Sequence, residues 1–461
     1  MTNKLYLLLL LGLCIFISCS DVKKADDLRV QGQFEKAFEL YQKAADSGDA
    51  YAEWRLANAY NSGDGVDFNH DEYIKWLKKA AKDGSEEAQF DLALNKLLGS
   101  WGFEKDIDGS KAKIDELVTK SQNTYVLCHY AYLLLVGNED IEQDKDKALS
   151  ILNSIKDKED PTYLYTMSCV YEIGSDDIDI DYKKRNEYLE KAFTKGNRYS
   201  AAIIGSNYQY GNDEIKKDID LAIEWFKKGI EKNSTACMLR LSAIYLNASN
   251  DSSLSKYQNK DKAIELLKKA MRHGDSDAYS QMGNLYRVGE GVQKDDKKAF
   301  ELTQRAYEMN NAYAAFNLAF FYIDGVGTEK DVAKGIKIWE RAAELGNSAA
   351  ANNLFCYYYG IEYGGKEKNI EKAKEYLFKA AKLKDAQACF NLAYFYYYGS
   401  DIVKKDEKQA FIYAKMAADQ DHPDACNMVA YMYDNNIGCD KDPKKAQEYR
   451  DKVKPKDNKD K

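Results

Sequence analysis

Proline is scarce in this chain, and so are histidine and long hydrophobic runs. The 461 residues include 4 Pro, 28 Gly and 4 His. So few helix breakers, together with abundant Ala and Lys, favour helix throughout and predict an all-α protein. The chain is too long for one compact core, so it must form two or three domains or a repeat array that grows by stacking.

Blocks of like charge are also missing. Asp and Glu number 75 against 67 Lys and Arg, which gives a formal net charge of -8, and the two signs alternate along the chain. This pattern excludes an extended basic surface for nucleic acid. The lysine-rich end, residues 451–461, also contains Asp and is predicted to be a solvated polar tail.

Catalytic and metal-binding patterns are absent from the sequence. No two of the histidines, His70, His129, His273 and His422, lie three or four residues apart, as two ligands on one helical face would. No G-x-S-x-G, H-E-x-x-H, phosphate-loop or dinucleotide pattern occurs. We therefore predict no enzyme activity, no cofactor and no bound metal.

The N-terminus carries the one long apolar run, residues 5–17, after which the sequence turns polar. Thirteen apolar or glycine residues suit the core of a signal peptide and are too few to span a bilayer. We therefore predict a signal peptide at residues 1–18, with no membrane-crossing segment in the mature chain.

The end of that run, FISC at residues 16–19, resembles the lipobox of bacterial lipoproteins. The resemblance implies that Cys19 becomes the lipidated first residue, followed by a spacer at 19–36 that holds the protein at a membrane of the cell envelope, on its periplasmic or outer surface. The alternative is an ordinary cleaved signal peptide with an incidental cysteine.

Internal repetition appears at a period of 36 to 41 residues. The motif A-x-x-x-L-x-x-x-Y, spaced to place all three residues on one helical face, predicts a recurring helix A. Its first position falls at Ala52, Ala88, Thr124, Tyr163, Ser200, Cys237, Ala278, Ala314, Ala350, Ala388 and Ala425.

An Asp or Asn follows each helix A and is the predicted N-cap of a second helix, helix B. In eight of the repeats an Ala stands four residues after this cap. The predicted caps are Asn69, Asp108, Asp144, Asp181, Asp218, Asn259, Asp295, Asp331, Asn369, Asp406 and Asp442.

The joined pattern at residues 278–302 (AYSQMGNLYRVGEGVQKDDKKAFEL) and at 314–335 (AAFNLAFFYIDGVGTEKDVAKG) resembles the Sel1-like repeat, a relative of the tetratricopeptide repeat. The resemblance implies a right-handed α-solenoid of about eleven helix-turn-helix units over residues 37–450. Residues 88–200 depart from the pattern, because most of the loop glycines are missing there.

A cysteine-rich branch of the Sel1 family staples its helix pairs with disulfides, and some members are described as penicillin-binding or β-lactamase-like. This chain has no helix-A/helix-B cysteine pair, so we do not carry that activity over. Most helix-A cysteines are predicted to be small core residues. Cys426 and Cys439 are the one pair predicted as a candidate bridge.

Helix A lines the concave side in such solenoids, so the position before the Leu of the motif is a candidate contact site for a partner. It is Asn317, Asn353 and Asn391 in three consecutive repeats, and an Asn amide can both donate to and accept from a peptide backbone. Tyr357 and Tyr394 lie alongside. The alternative for these side chains is packing between helices.

The function predicted from the sequence is a lipid-anchored scaffold that binds a partner protein or an extended peptide in its concave groove. The alternatives are a hydrolase acting on cell-wall fragments, as in the cysteine-rich branch, and a purely structural spacer.

Overall fold

The structure is a computed structural model, and it describes residues 21–100, 102–138, 140–212, 214–247, 252–361 and 368–453. All regular structure in these residues is helical. The predicted signal peptide and Cys19 lie outside the described residues, as does most of the predicted tail.

The chain divides into two compact units, residues 1–278 and 279–461. The first unit contains a helical segment at 21–30 and then α1 (Phe34–Asp46), α2 (Ala50–Ser62), α3 (His70–Asp83), α4 (Glu86–Leu98), α5 (Ile107–Lys120), α6 (Thr124–Val136), α7 (Lys145–Ser154), α8 (Pro161–Ile173), α9 (Tyr182–Thr194), α10 (Tyr199–Tyr210), α11 (Ile219–Glu231), α12 (Thr235–Asn247), a 3-10 turn (Ser252–Tyr257) and α13 (Lys260–Arg272).

The boundary between the units falls inside α14 (Ser276–Val288). The second unit continues with α15 (Asp296–Glu308), α16 (Ala312–Asp324), α17 (Val332–Glu344), α18 (Ser348–Tyr359), α19 (Ile370–Lys382), α20 (Ala386–Tyr398), α21 (Glu407–Ala418), α22 (Pro423–Asn435) and α23 (Pro443–Val453). From α2 onward the even-numbered helices are the predicted helices A and the odd-numbered ones the predicted helices B, which confirms an all-α stack of helix pairs.

Every helix A begins at a side chain that caps it. In each repeat this side chain accepts a hydrogen bond from the backbone N–H of the residue three positions later, which satisfies one of the free amides that open the helix. The caps are Asp49, Ser85, Asn123, Asp160, Asn197, Ser234, Asp275, Asn311, Asn347, Asp385 and His422.

The predicted caps of helix B are confirmed with one exception. Each accepts a hydrogen bond from a backbone N–H two or three residues later: Asn69, Asp144, Asp181, Asp218, Asn259, Asp295, Asp331, Asn369, Asp406 and Asp442. The prediction of Asp108 as an N-cap was wrong, because α5 is capped by Asp106, which accepts a hydrogen bond from Gly109 N at 3.0 Å. Ser110 therefore takes the buried place of the recurrent Ala, and Ala112 is exposed.

The register of α6 also differs from the prediction, by two residues. Asn123 caps the amide of Val126, so Val126 and not Thr124 is the first position of the motif. Val126, Tyr130 and Leu134 are all buried, whereas Tyr132, predicted as the ninth position, is exposed. The apolar run of α6 has no polar face to fix the register, and its cap is what identifies it.

The core of the second unit is one continuous apolar cluster that runs from Ala315 to Tyr449. Its largest fully buried side chains include Trp339, whose indole Nε1 donates to the Phe316 carbonyl at 3.2 Å. Small residues on both helices of a pair allow close approach. In the first unit Gly205 of α10 shows this directly, because a methyl group there would collide with the ring of Phe226 on α11.

A further helical segment precedes α1 and pairs with it. Residues 21–30, assigned from the sequence to a spacer at 19–36, are helical, and Ala25 is fully buried. Asp26 of this segment accepts a hydrogen bond from the Tyr41 hydroxyl of α1 at 2.7 Å. The described part of the predicted spacer thus belongs to the first helix pair.

Candidate binding surfaces

The first unit closes on itself after several repeats. Arg198, at the start of α10, donates from one terminal nitrogen to both carboxylate oxygens of Asp64, which follows α2, at 2.8 Å each. His273 Nδ1 lies 3.1 Å from the carbonyl oxygen of Ser62, and Lys232 Nζ donates to the carbonyl of Val30 at 2.5 Å. Residues up to about two hundred positions apart therefore pack together.

Next to this closure, the first unit contains a half-open cavity of about 690 Å³. Its size is that of a typical small-ligand pocket. It is lined mainly by side chains from helices A and from the turns before them: Arg29, Phe34, Phe38, Tyr41, Tyr51, Trp54, Arg55, Asn58, Asn61, Asp64, Glu87, Asn123, Tyr125, His129, Tyr132, Asp160, Tyr165, Thr166, Asn197, Arg198 and Tyr199.

Two arginines lie against the same wall of this cavity. Arg55 Nε donates to the Tyr51 hydroxyl at 2.7 Å and lies 3.1 Å from Asp26, and its guanidinium is 4.7 Å from the Trp54 ring centroid. Arg29 lies close enough for the Arg55 charge to lower its pKa, with burial adding to the effect. Its Nε is buried and has no hydrogen-bond partner in the described chain.

A second wall is built around Asp91 of α4. This carboxylate accepts hydrogen bonds from Trp54 Nε1 at 2.7 Å and from the Tyr125 hydroxyl at 2.8 Å. Burial raises the pKa of Asp91 despite these donors. Tyr125 also packs against the His129 ring, with centroids 3.9 Å apart. These contacts fix the aromatic side chains that face the cavity.

The predicted asparagines occupy equivalent positions in the second unit. Asn317, Asn353 and Asn391 are all half-buried. Asn391 Oδ1 accepts from Gln387 Nε2 at 3.1 Å on its own helix. Asn317 lines a smaller cavity of about 470 Å³ together with Phe320, Asp324 and other residues of the second unit.

The two predicted tyrosines differ in exposure. Tyr357 is half-buried and packs edge-on against Tyr358, with centroids 5.1 Å apart. Tyr394 is 50% exposed and lies 4.7 Å from the exposed ring of Tyr398. Tyr431 occupies the same place on the next helix A and is exposed as well. An exposed row of tyrosines thus accompanies Asn391, whereas Tyr357 contributes more to packing.

The cavity of the first unit was missed from the sequence, although the signal was present. The position before the fifth residue of the motif, which holds the asparagines in the second unit, is Arg55, Asp91, His129 and Thr166 in the first four repeats of the first unit. Three of these four line the cavity, and Asp91 holds two residues that do. Because the register predicted for α6 was wrong by two residues, His129 did not appear in this series.

The seven cysteines of the described chain are all free. The candidate bridge between Cys426 and Cys439 is therefore wrong: Cys426 is buried and its Sγ lies 3.5 Å from the Ala418 carbonyl oxygen, while Cys439 is half-buried. The disulfide staple of the cysteine-rich branch is not found in the part of the chain that is described.

The described residues contain neither a metal-binding cluster nor a membrane-spanning helix. No group of three or more His, Cys, Asp or Glu side chains is arranged to hold a metal ion. None of the described helices combines the length and apolarity needed to cross a bilayer.

The comparisons with known proteins identify the repeat. The family model "Sel1 repeat" matches ten segments, at residues 28–49, 50–85, 125–153, 199–234, 235–275, 276–311, 312–347, 348–385, 386–422 and 423–449. The matches cover well over half of the chain, which belongs to the Sel1 repeat family. Proteins built from Sel1 repeats bind protein partners, and this defines the class of protein.

Individual relatives match less completely. A segment of 87 residues is 38% identical to the exopolysaccharide production negative regulator of Rhizobium leguminosarum bv. viciae, covering 18% of this chain and 33% of that protein. The chain thus spans about a third of that curated relative. The Sel1 repeat protein from Oxalobacter formigenes is 28% identical with a TM-score of 0.44, covering 52% of this chain and 94% of that one. The protein c5321, a protective antigen of uropathogenic Escherichia coli with an SLR fold, is 24% identical with a TM-score of 0.41, covering 90% of this chain and 86% of that one.

Proposed function

We propose that the protein is a non-catalytic scaffold of the bacterial cell envelope that binds a partner protein, or an extended peptide of it, along the exposed face of its helices A. The observation that carries the proposal is the surface of α20 and α22, where Asn391 lies beside the exposed rings of Tyr394, Tyr398 and Tyr431.

Exposed tyrosines in a row are typical of interfaces, because each ring offers a large contact area and loses little conformational entropy on binding. The asparagine amides can pair with a peptide backbone of any sequence, and the repeat places them at equal steps along the stack. Asn317, Asn353 and Asn391 are half-buried, so each retains a surface that a partner can reach.

The experiment that tests the scaffold is affinity capture from detergent-solubilised native membranes. The test variant changes Asn317, Asn353 and Asn391 to Ala. The matched control changes three exposed lysines of helices B to Ala, namely Lys337, Lys374 and Lys408. A partner that is enriched with the wild type and the control, and lost with the test variant at unchanged circular dichroism, supports the proposal. Equal enrichment with both variants contradicts it.

The envelope location rests on the lipobox-like segment that ends at Cys19. A single lipid anchor would hold the protein at a membrane without a spanning helix. Metabolic labelling with a fatty-acid analogue tests this, with Cys19→Ser as the variant and Cys14→Ser as the control. Label that survives Cys19→Ser, or that is absent from the wild type, contradicts the anchor while leaving the scaffold proposal open to its own test.

A further inference from the structure

The cavity of the first unit contains a local surplus of positive charge. Arg29 and Arg55 share one wall, and the acidic side chain paired with them is Asp26, 3.1 Å from Arg55 Nε. Lys232 lies close enough to Arg29 for the Arg29 charge to lower its pKa, after burial, and the neighbouring Glu231 offsets the Lys232 charge. The cluster therefore has one more positive charge than it has negative charges.

The other carboxylates of the cavity wall are already engaged. Asp64 pairs with Arg198. Glu87 accepts hydrogen bonds from Ser85 Oγ and Asn123 Nδ2, at 2.8 Å each. Asp160 caps α8. None of them is placed to neutralise the arginine pair as well.

Donor groups of the pair are also unused. Arg29 Nε is buried without a hydrogen-bond partner in the described residues. Arg55 makes its polar contacts to Tyr51 and Asp26 through Nε, and no hydrogen bond is found for its terminal amino groups among the described residues, where the guanidinium lies against the Tyr51 and Trp54 rings. A buried donor without a partner is costly, so its presence beside a ligand-sized cavity indicates a group that is supplied from outside.

We propose that the cavity of the first unit binds a carboxylate of a peptide segment, held between Arg29 and Arg55. A carboxylate supplies the single negative charge that balances the cluster, and it can accept paired hydrogen bonds from guanidinium groups. A phosphate dianion would bring two negative charges and leave the cluster with an excess of negative charge. Tyr41, Tyr51 and Trp54 form the adjoining aromatic wall against which the rest of the peptide would pack.

This inference rests on the proposed function, since it assigns part of the partner to a second surface. The carboxylate can belong to the chain terminus or to an Asp or Glu side chain. Three pentapeptide pools labelled with a neutral BODIPY dye distinguish these sources: one with a free C-terminus and no acidic residue, one amidated with a single Asp or Glu, and one amidated without any acid. Binding to the purified full chain is measured by fluorescence anisotropy.

The test variant is Arg29→Gln, and the matched control is Arg240→Gln, which changes an exposed arginine of the same unit. We expect at least one carboxylate-bearing pool to bind the wild type and the control, and the fully amidated pool to bind neither comparably. Arg29→Gln should weaken that binding by about tenfold or more, because a charge-assisted hydrogen bond and its charge are lost.

Binding that is equal for all pools, absent for all pools, or unchanged in Arg29→Gln overturns the proposal. Displacement of the peptide by inorganic phosphate at a lower concentration than acetate assigns the site to phosphate and also overturns it. The unliganded Arg29→Gln protein should unfold at an equal or higher urea concentration than the wild type, because an unpartnered charge is removed. A markedly lower midpoint would make Arg29 structural instead.

The two proposals fail separately. The triple asparagine variant keeps Arg29 and Arg55 and should bind the carboxylate pools as the wild type does. Partner capture that persists in the triple asparagine variant, with normal peptide binding, would refute the asparagine surface alone. Loss of capture in that variant, with peptide binding unchanged by Arg29→Gln, would refute the carboxylate site alone.

Discussion

The ion pair between Arg198 and Asp64 joins residues 134 positions apart and closes the first unit. In a repeat array each unit contacts only its neighbours, and stability is a sum of local terms. A contact between distant repeats couples the helix pairs that lie between them. Breaking it should therefore destabilise the first unit as a whole.

The magnitude follows from burial. The side chains of Arg198 and Asp64 are 17% and 12% exposed, and the pair is bidentate at the carboxylate. Removing one partner of a fully buried pair costs about 3–5 kcal/mol, whereas exposed pairs contribute about 0–1 kcal/mol. We expect Asp64→Asn and Arg198→Gln each to lower the free energy of unfolding by about 2–3 kcal/mol.

The assay is a double-mutant cycle measured by urea unfolding. The double variant should cost little more than either single variant, because the same interaction is removed once. The control is the exposed pair Lys228–Glu224 on α11 of the same unit, whose loss should cost under about 0.5 kcal/mol. Single effects below that value, or strictly additive effects in the cycle, would refute the coupling of distant repeats.

Three further predictions concern backbone, thiols and pH. Gly438→Ala should lower the free energy of unfolding, measured in urea, by at least about 1 kcal/mol more than Gly346→Ala does. Both residues have left-handed φ, but only at Gly438 would the added methyl group meet a neighbouring backbone oxygen. A thiol reagent at neutral pH should modify the half-buried Cys356 and Cys439 before any other described cysteine, with no change in the pattern after mild reduction; rapid labelling of a buried cysteine would contradict this. Because burial raises the folded-state pKa of Asp91, ionisation of this carboxyl group should lower stability as pH rises above about 4, the ordinary pKa of Asp. Asp91→Asn should flatten this loss, and identical pH profiles for the two proteins would contradict the prediction.

Much of the fold could be predicted from sequence because each helix pair is encoded locally. The spacing of small, apolar and aromatic residues identified the helices, and the Asp or Asn before helix B identified its start. The prediction failed at Asp108 and Thr124, where the loop glycines are missing and the apolar run of α6 marks no single face. There the capping side chains, Asp106 and Asn123, carry the register.

The cavity of the first unit could not be predicted in the same way. It exists because small rotations between successive helix pairs accumulate until Asp64 meets Arg198. No single sequence motif determines this total rotation. The residues that line it were nevertheless recoverable once the register was right. Arg55 and His129 hold the same position of the repeat as the predicted asparagines.

A partner that binds the helix-A face should be captured there by site-specific photo-crosslinking in living cells. A benzophenone amino acid is placed at Tyr394 on α20, which is 50% exposed, or at Ile412 on α21, which is 47% exposed and lies on a helix B. If a partner binds the helix-A face, we expect a discrete crosslinked product from position 394 and none from position 412. Crosslinks of equal intensity at both positions, or from 412 alone, would contradict it.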